Sequence, residues 1–337
     1  MNGDSRAILG LLALIATVVA AAALRASYAV TMPVAVAAIV IAALWPVKAR
    51  LESLVPPWLA YLGTVGTLLL VFVGFSAGIW FASAAALKTF LEQEERFRAM
   101  LDQLTGWVEA LGLPEPGAGL FERLVQVLQP ILAGTYSVLA YLGFIAVLVM
   151  LGLPAVIPFR RRLGDALEGT QRRELVDAID EISLRIRQYL GVTTLMSLVT
   201  GAAVALWCFL LGLDLALSWG ILNFLLNYIP VVGNVIGIFP PVLYAILQFE
   251  GWQRPTLLFL GLAAIQVAIS NFLYPMMQGR SMALPPVVIV VALTFWSWVW
   301  GIVGALIAIP LTVAAIIAFD RFESTRWLAT LLSEKRR

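Results

Sequence analysis

Charged side chains fall into a few short clusters, and long uncharged runs lie between them. Those runs occupy 7–24, 26–47, 58–87, 124–159, 188–213, 215–249, 255–279 and 281–319. About 20 helical residues cross the roughly 30 Å apolar core of a bilayer. The pattern therefore predicts an all-α integral membrane protein with about eight membrane segments. Two of them, 215–249 and 281–319, are long for one untilted crossing and carry Pro and Gly inside. Each is either a broken crossing helix or a re-entrant hairpin. Irregular backbone at membrane depth survives only where protein or a water-filled cavity covers it.

Two polar regions interrupt the runs. In 88–123, Leu87, Leu91, Phe97, Leu101, Leu104, Val108 and Leu111 recur at helical spacing among acidic residues, and Pro114 to Gly117 marks a turn. This predicts an amphipathic helical insert, either a solvated hairpin, an oligomer contact or a ligand cap. In 160–190, Arg160, Arg161 and Arg162 stop the preceding span. Leu175, Ile179, Ile182, Ile186 and Tyr189 then form an apolar stripe, with Arg173–Asp177 and Glu181–Arg185 as i,i+4 pairs. The implied regions are 1–87 (three spans), 88–123 (extracytoplasmic insert), 124–159 (fourth span), 160–190 (cytoplasmic amphipathic helix), 191–319 (motif-rich) and 320–337 (cytoplasmic tail).

Lys and Arg set the orientation. With a cytoplasmic N-terminus and one crossing per segment, 16 of the 22 fall on the cytoplasmic side. This predicts both termini in the cytoplasm, since positive residues accumulate on that side. Two re-entrant hairpins would leave the count unchanged, so charge does not choose between the topologies. The first apolar run, 18 residues from Ala7 to Leu24, exceeds a signal-peptide core, and a second follows at once. Cleavage is not expected.

Composition narrows the chemistry. The 337 residues are 61% hydrophobic with a mean hydropathy of +0.95. Net charge is only +2, with no basic and aromatic alternation, so nucleic acid is not an expected partner. There is no His, which removes the commonest general base and metal ligand. The one cysteine, Cys208, reads as a small buried core residue. No metal site, cofactor or nucleophile–base pair is implied, and an enzyme is not expected. Membrane lipid is the implied surroundings, with anionic lipid a possible contact of the arginines in 160–187.

The polar residues inside the apolar runs carry the functional reading. In 215–249 these are Asn223, Asn227 and Asn234. Pro230, Gly233, Gly237 and Pro240 break the backbone around them. Asn223 and Asn227 share a helical face, and a proline frees a carbonyl one turn back. Intramembrane polar residues are either interhelical glue or a transport site. Broken, polar-dotted segments are the best sequence pointer to the latter. The next run holds Gln266, Ser270, Asn271, Pro275, Gln278 and Gly279 and ends at Arg280. Gln266 and Ser270 lie one turn apart, with Asn271 near the same face. The last run holds Trp296, Trp298, Trp300, Gly301, Gly304 and Pro310. Tryptophans favour an interface, which fits a hairpin tip. The stretch from Gly233 to Pro240 weakly resembles that from Gly304 to Pro310, so an internal repeat is an open possibility.

At these residues the chain resembles the AI-2E family of transporters, the autoinducer-2 exporter-like permeases. The stretch Tyr228-Ile229-Pro230-Val231-Val232-Gly233-Asn234 matches its IPxxG signature, with Asn223 before and Pro240 after. Asn271, Pro275 and Gly279 match a second motif. Leu284 to Val288 and Trp300 to Pro310 match the C-terminal pattern. The resemblance implies a multi-span transporter of the cytoplasmic membrane, a homo-oligomer (a pentamer) and export of small polar molecules, including a furanone-type quorum signal. It also brings monovalent-cation/proton exchange for some members. Many members carry His before the proline where this chain has Pro285, so no role for that imidazole transfers.

The leading expectation is an exporter or facilitator for a small, neutral polar solute, using an Asn/Gln/backbone-lined site. The alternatives are a monovalent cation/proton antiporter and a non-transport membrane scaffold. An antiporter ordinarily needs an intramembrane carboxylate, and none lies inside the eight runs. Asp214 and Asp320, at run boundaries, and Arg280 are the candidates for coupling.

Overall fold

The computed structural model describes residues 3–92, 95, 140–162, 169–229, 232–278, 284–321, 323 and 325–332. Among them the secondary structure is helical, with no strand. We label the helices α1 (Gly3–Ala26), α2 (Tyr28–Leu51), α3 (Pro57–Glu92), α4 (Ala140–Arg162), α5 (Gly169–Leu210), α6 (Ala216–Leu226), α7 (Val232–Ile236), α8 (Phe239–Gln248), α9 (Gln253–Ala268), α10 (Tyr274–Gln278), α11 (Pro286–Arg321) and α12 (Arg326–Leu332). Six stretches are long and apolar enough to cross a membrane: Tyr28–Leu51, Pro57–Gly78, Ala140–Arg162, Glu174–Leu210, Gln253–Met277 and Pro286–Arg321. Shorter apolar helices cover Ile15–Ala26, Ala216–Leu226 and Gly233–Gln248. The chain is a multi-pass α-helical membrane protein.

The expected insert 88–123 lies almost wholly outside the described residues, as do Arg280 and the start of the run 124–159. The expected division near residue 190 corresponds to no break in the helix. The amphipathic stripe and the following apolar run form one helix of 42 residues, α5. Gly191 stands at the junction but the helix runs through it, and the boundary between the two compact units described below falls between Leu190 and Gly191.

The chain divides into two compact units. The first comprises Met1–Val65, Gly143–Leu190 and Arg280–Arg337. In it, α11 is bent sharply at Trp300 (φ −129°, ψ 20°) and Gly301 (φ 62°, ψ −143°). The second of these is backbone that only glycine adopts without strain. The arms fold back on each other. The Trp296 indole donates to Thr312 Oγ1 at 3.2 Å. A Cβ at Gly304 would overlap the Trp296 carbonyl oxygen. Leu284, Ile289 and Val313 pack on one cluster with buried Tyr189 and Ile309. In a straight helix Ile289 and Val313 would be about 36 Å apart at 1.5 Å per residue. The tryptophans sit at the bend, as a hairpin tip requires. Trp300 donates to Thr31 Oγ1 at 3.1 Å, and the Arg25 guanidinium lies 4.6 Å over Trp298.

The opposite end of this unit is polar. Arg160 makes two hydrogen bonds to Asp180 at 2.7 and 2.8 Å and covers Trp45. Glu181 accepts from Arg321 at 2.8 Å and pairs with Arg185 at 3.6 Å. The second arm of α11 therefore runs from the Thr31 end to the Glu181 end. The side chain of Arg173, the other expected pair partner, lies outside the described residues.

The second unit comprises Gly66–Leu142 and Gly191–Gly279. Its core is Val204, Cys208, Leu213, Trp219, Tyr244, Ala245, Leu258 and Leu262. Cys208 is a buried free thiol there. Helices α5 and α6 meet backbone to backbone at Gly201 and Gly220. A Cβ on either would lie within 2.7 Å of the other's carbonyl oxygen.

Candidate functional site

The run 215–249 is a helical hairpin. Gly212 (φ 73°) and Leu215 (φ 59°) make a left-handed turn after α5. Leu215 is the one non-glycine residue with positive φ among those described. The side-chain amide of Gln248 pins this turn from the far end of the hairpin. Its Oε1 accepts from the Asp214 N–H at 2.8 Å, and its Nε2 donates to the Gly212 carbonyl at 2.8 Å. Further in, the rings of Trp219 and Tyr244 lie 5.6 Å apart. Further still, Asn223 meets Gly237. The residue numbers rise on one arm as they fall on the other, so both ends of the segment lie together. The turn is tight because a Cβ at Gly233 would overlap the Leu226 carbonyl oxygen.

The second hairpin, α11, closes in the same manner, with Gly304 against the Trp296 carbonyl. Gly233 and Gly304 are the residues that align in the weak internal similarity. Each allows a returning arm to touch the main chain it has just left.

Proline sets the polar pairing in the first hairpin. In a regular helix the Gly237 carbonyl would accept from residue 241, but Pro241 has no N–H. Asn223 supplies the donor instead. Its Nδ2 reaches the Gly237 carbonyl at 3.0 Å and the Trp219 carbonyl at 3.1 Å. Its Oδ1 accepts from Gln266 Nε2 at 3.0 Å. Asn223 is 2% exposed and Gln266 6%. An added Cβ at Gly237 would overlap Asn223 Oδ1, so only glycine admits the amide there.

Asn234 lies one turn before Gly237. Its Nδ2 donates to Ser270 Oγ at 2.7 Å. Ser270 lies one turn after Gln266. Asn223, Gln266, Ser270, Asn234 and Gly237 thus close a ring between the hairpin and the broken helix that follows. That helix widens at Ile269–Leu273 into a π turn, a form that recurs at functional sites. Pro275 is the local cause, since a proline cannot take its place in the α-helical ladder. The ring contains no ionisable group.

The other expected residues fall in different places. Asn227 does not join Asn223, although the two are four apart. It caps α6, and its Nδ2 donates to buried Ser197 Oγ on α5 at 3.0 Å. Asn271 is exposed, and its amide donates to its own helix at Val267. The ladder widening turns it away from Gln266, which corrects the expectation of one shared face. Gly279, Arg280 and Pro230 lie outside the described residues, as does the side chain of Gln278. Pro240 opens α8, where the missing N–H costs least. Pro310 is buried inside the second arm of α11. Asp214 is exposed and serves the hairpin base through its main chain. Asp320 is exposed beside Arg326.

Sequence reading missed the hydroxyl residues of α5. Ser197 meets Asn227, and Thr194 meets the Tyr228 hydroxyl at 2.9 Å. Thr193, Thr194, Ser197 and Thr200 recur at helical spacing in an apolar run, which was the available signal. Gln248 was also missed, because nothing local marks a side chain whose partners lie more than thirty residues away.

A multi-pass helical protein built around a folded-back, uncharged polar hairpin falls in the class of membrane transporters. The chain belongs to the AI-2E transporter family, whose model matches residues 11–324. It is 31% identical over 238 residues to the AI-2 transport protein TqsA of Escherichia coli K12, covering 69% of this chain and 64% of that one. It is 34% identical over 171 residues to a putative transport protein of Borreliella burgdorferi, covering 50% and 46%. A putative transport protein of Haemophilus influenzae matches over 302 residues at 28% identity, covering 86% and 85%. The matches thus span about half and just under two thirds of the first two relatives' length.

Proposed function

We propose that the protein moves a small, uncharged polar solute across the cytoplasmic membrane, with 215–249 as the transport element. One observation carries this: the polar ring at the hairpin is built from amides, a hydroxyl and main-chain carbonyls, with no fixed charge. Such a set suits a ligand that exchanges hydrogen bonds. A charged ligand would instead require a counter-charge in a low-dielectric site. The name of the E. coli relative supports a signal of the autoinducer-2 kind as the solute. The direction read here is export.

Both folded-back segments enter and leave the bilayer on one side in this reading. The arms of the first hairpin, 11 and 10 residues in α6 and α8, span only about 15 Å each at 1.5 Å per residue. That is about half of the apolar core. With cytoplasmic termini, the Glu181–Arg321 end of the first unit faces the cytoplasm. A homo-oligomer, a pentamer, is the assembly proposed.

The test is flux of autoinducer-2 from proteoliposomes containing the purified chain. Saturable flux that falls in Asn234→Leu supports the proposal. Flux no faster than that of empty liposomes would remove it in favour of a scaffold.

A further inference from the structure

The tip of the first hairpin carries a second polar group, on its α5 side. Where Gly201 meets Gly220, α5 and α6 touch through their backbones. At the tip the contact is made instead by the end of a side chain. The Tyr228 hydroxyl donates to Thr194 Oγ1 at 2.9 Å. Phe75 of α3 and Phe224 of α6 pack edge to face with the Tyr228 ring, their centroids 5.8 and 5.6 Å away. They hold the ring, so the place of its hydroxyl is set before any ligand arrives. The Tyr274 phenol of α10 lies beside Thr193 and near Tyr228. Thr193 is wholly buried, and its Oγ1 has no hydrogen-bond partner.

These hydroxyls lie deep in the apolar span Glu174–Leu210. Thr194 is about 30 Å from one end of it and about 24 Å from the other at 1.5 Å per residue. Polar side chains that only join helices bond one another across the contact. This group departs from that pattern. Thr194 is exposed and Tyr228 half-buried, while Thr193 is buried and unsatisfied. A hydroxyl offers one donor and two acceptor positions. Tyr228 has given its proton to Thr194 and keeps its lone pairs, and Thr193 has both a proton and lone pairs to give. Donor and acceptor capacity are left over together, which is what another hydroxyl compound would use.

We propose that Tyr228, Thr194, Thr193 and Tyr274 form a second binding site at the hairpin tip, for a neutral solute that carries two or more hydroxyl or carbonyl groups. This rests on the reading of 215–249 as the transport element and adds α5 as the wall that faces it. The Tyr228 oxygen accepts from one solute hydroxyl, and the Thr193 hydroxyl meets a second polar group of the same molecule. None of the four carries a charge at neutral pH, so selection is by hydrogen bonding. A site built to bond a hydroxyl rejects an analogue that lacks it, because its own polar groups are then left unpaired. Tyr228, clamped by two phenylalanines, is the specificity-determining residue.

Two measurements on the full chain in liposomes test this. The first is thiol labelling. The one native thiol, Cys208, is buried, so the parent chain is the blank. Thr194→Cys should react with a water-soluble methanethiosulfonate supplied on both sides of the membrane, and autoinducer-2 should slow the reaction. Leu195→Cys, exposed at the same depth on another side of α5, should stay unlabelled. The second is autoinducer-2 flux. Tyr228→Phe keeps the ring and its packing, and Thr194→Val keeps the side-chain shape. Each should raise the half-saturating concentration by about three- to tenfold, with maximal rate and melting temperature held. A purely helix-packing role would lower the melting temperature and leave half-saturation unchanged. Thr194→Cys labelled no faster than Leu195→Cys overturns the site, as does labelling that autoinducer-2 does not slow. Unchanged half-saturation in both flux variants also overturns it and leaves the transport reading standing. Protection by autoinducer-2 in a chain without flux removes the transport reading and keeps the site.

Discussion

The side-chain amide of Asn223 donates to the main-chain carbonyl of Gly237, 14 residues away, at 3.0 Å. It fills the vacancy that Pro241 leaves in the ladder. An asparagine on one arm thus completes the hydrogen bonding of a helix on the other, and the hairpin is locked shut at that depth.

Replacing Asn223 by Leu should be costly. It strands the Gly237 carbonyl and the Gln266 amide at once, each about 1–3 kcal/mol when buried. A lowered melting temperature and faster amide exchange across 219–237 are the expected readouts. Asn271→Ala, by contrast, removes an exposed side chain bonded within its own helix. It should stay within about 0.5 kcal/mol of the parent. Equal effects from the two would contradict this assignment.

The two closing glycines should behave alike. Gly233→Ala and Gly304→Ala each drive a methyl into a carbonyl oxygen of the opposite arm. Overpacking of this kind costs about 1–3 kcal/mol. Gly63→Ala, where nothing lies within 4 Å, is the control. Thermal denaturation of the three variants in one detergent decides the matter, and a stable Gly233→Ala protein would mean that the hairpin is looser than described.

Glu181 bridges Arg321 and Arg185 at the polar end of the first unit. Its side chain is 38% exposed and that of Arg321 29%, so solvent screens the pair. A double-mutant cycle with Glu181→Gln and Arg321→Gln should return no more than about 1 kcal/mol. The coupling should shrink as salt is raised. A salt-independent coupling of several kcal/mol would argue that lipid or another copy buries the pair.

Asp214 works through its main chain, donating to Gln248 and accepting from Trp219. Asp214→Asn should therefore keep full flux, and a protonophore should leave that flux unchanged. Loss of transport in both tests would assign the carboxylate a coupling role. Gln248→Leu is the more harmful change at this corner, since it unpins the Gly212 carbonyl and the Asp214 N–H together.

Much of this molecule was legible along the chain. Long uncharged runs between charged clusters read as membrane segments, because a bilayer admits no unpaired backbone and few charges. The positions of Pro240, Gly233, Gly301 and Gly304 marked where two of those runs break, since each residue either lacks a donor or lacks a Cβ. Asn223, Gln266 and Asn234 stood out as polar atoms in apolar surroundings that require partners. The tertiary structure decided who those partners are. Helical spacing put Asn223 with Asn227 and Asn271 with Gln266. The fold sent Asn223 to Gly237, Asn227 to Ser197 and Asn271 outward. The physical reason is that spacing constrains a residue only while the helix is regular. A proline or a π turn resets the register, and the bonds that follow are chosen by whichever carbonyl or amide the returning chain brings within 3 Å.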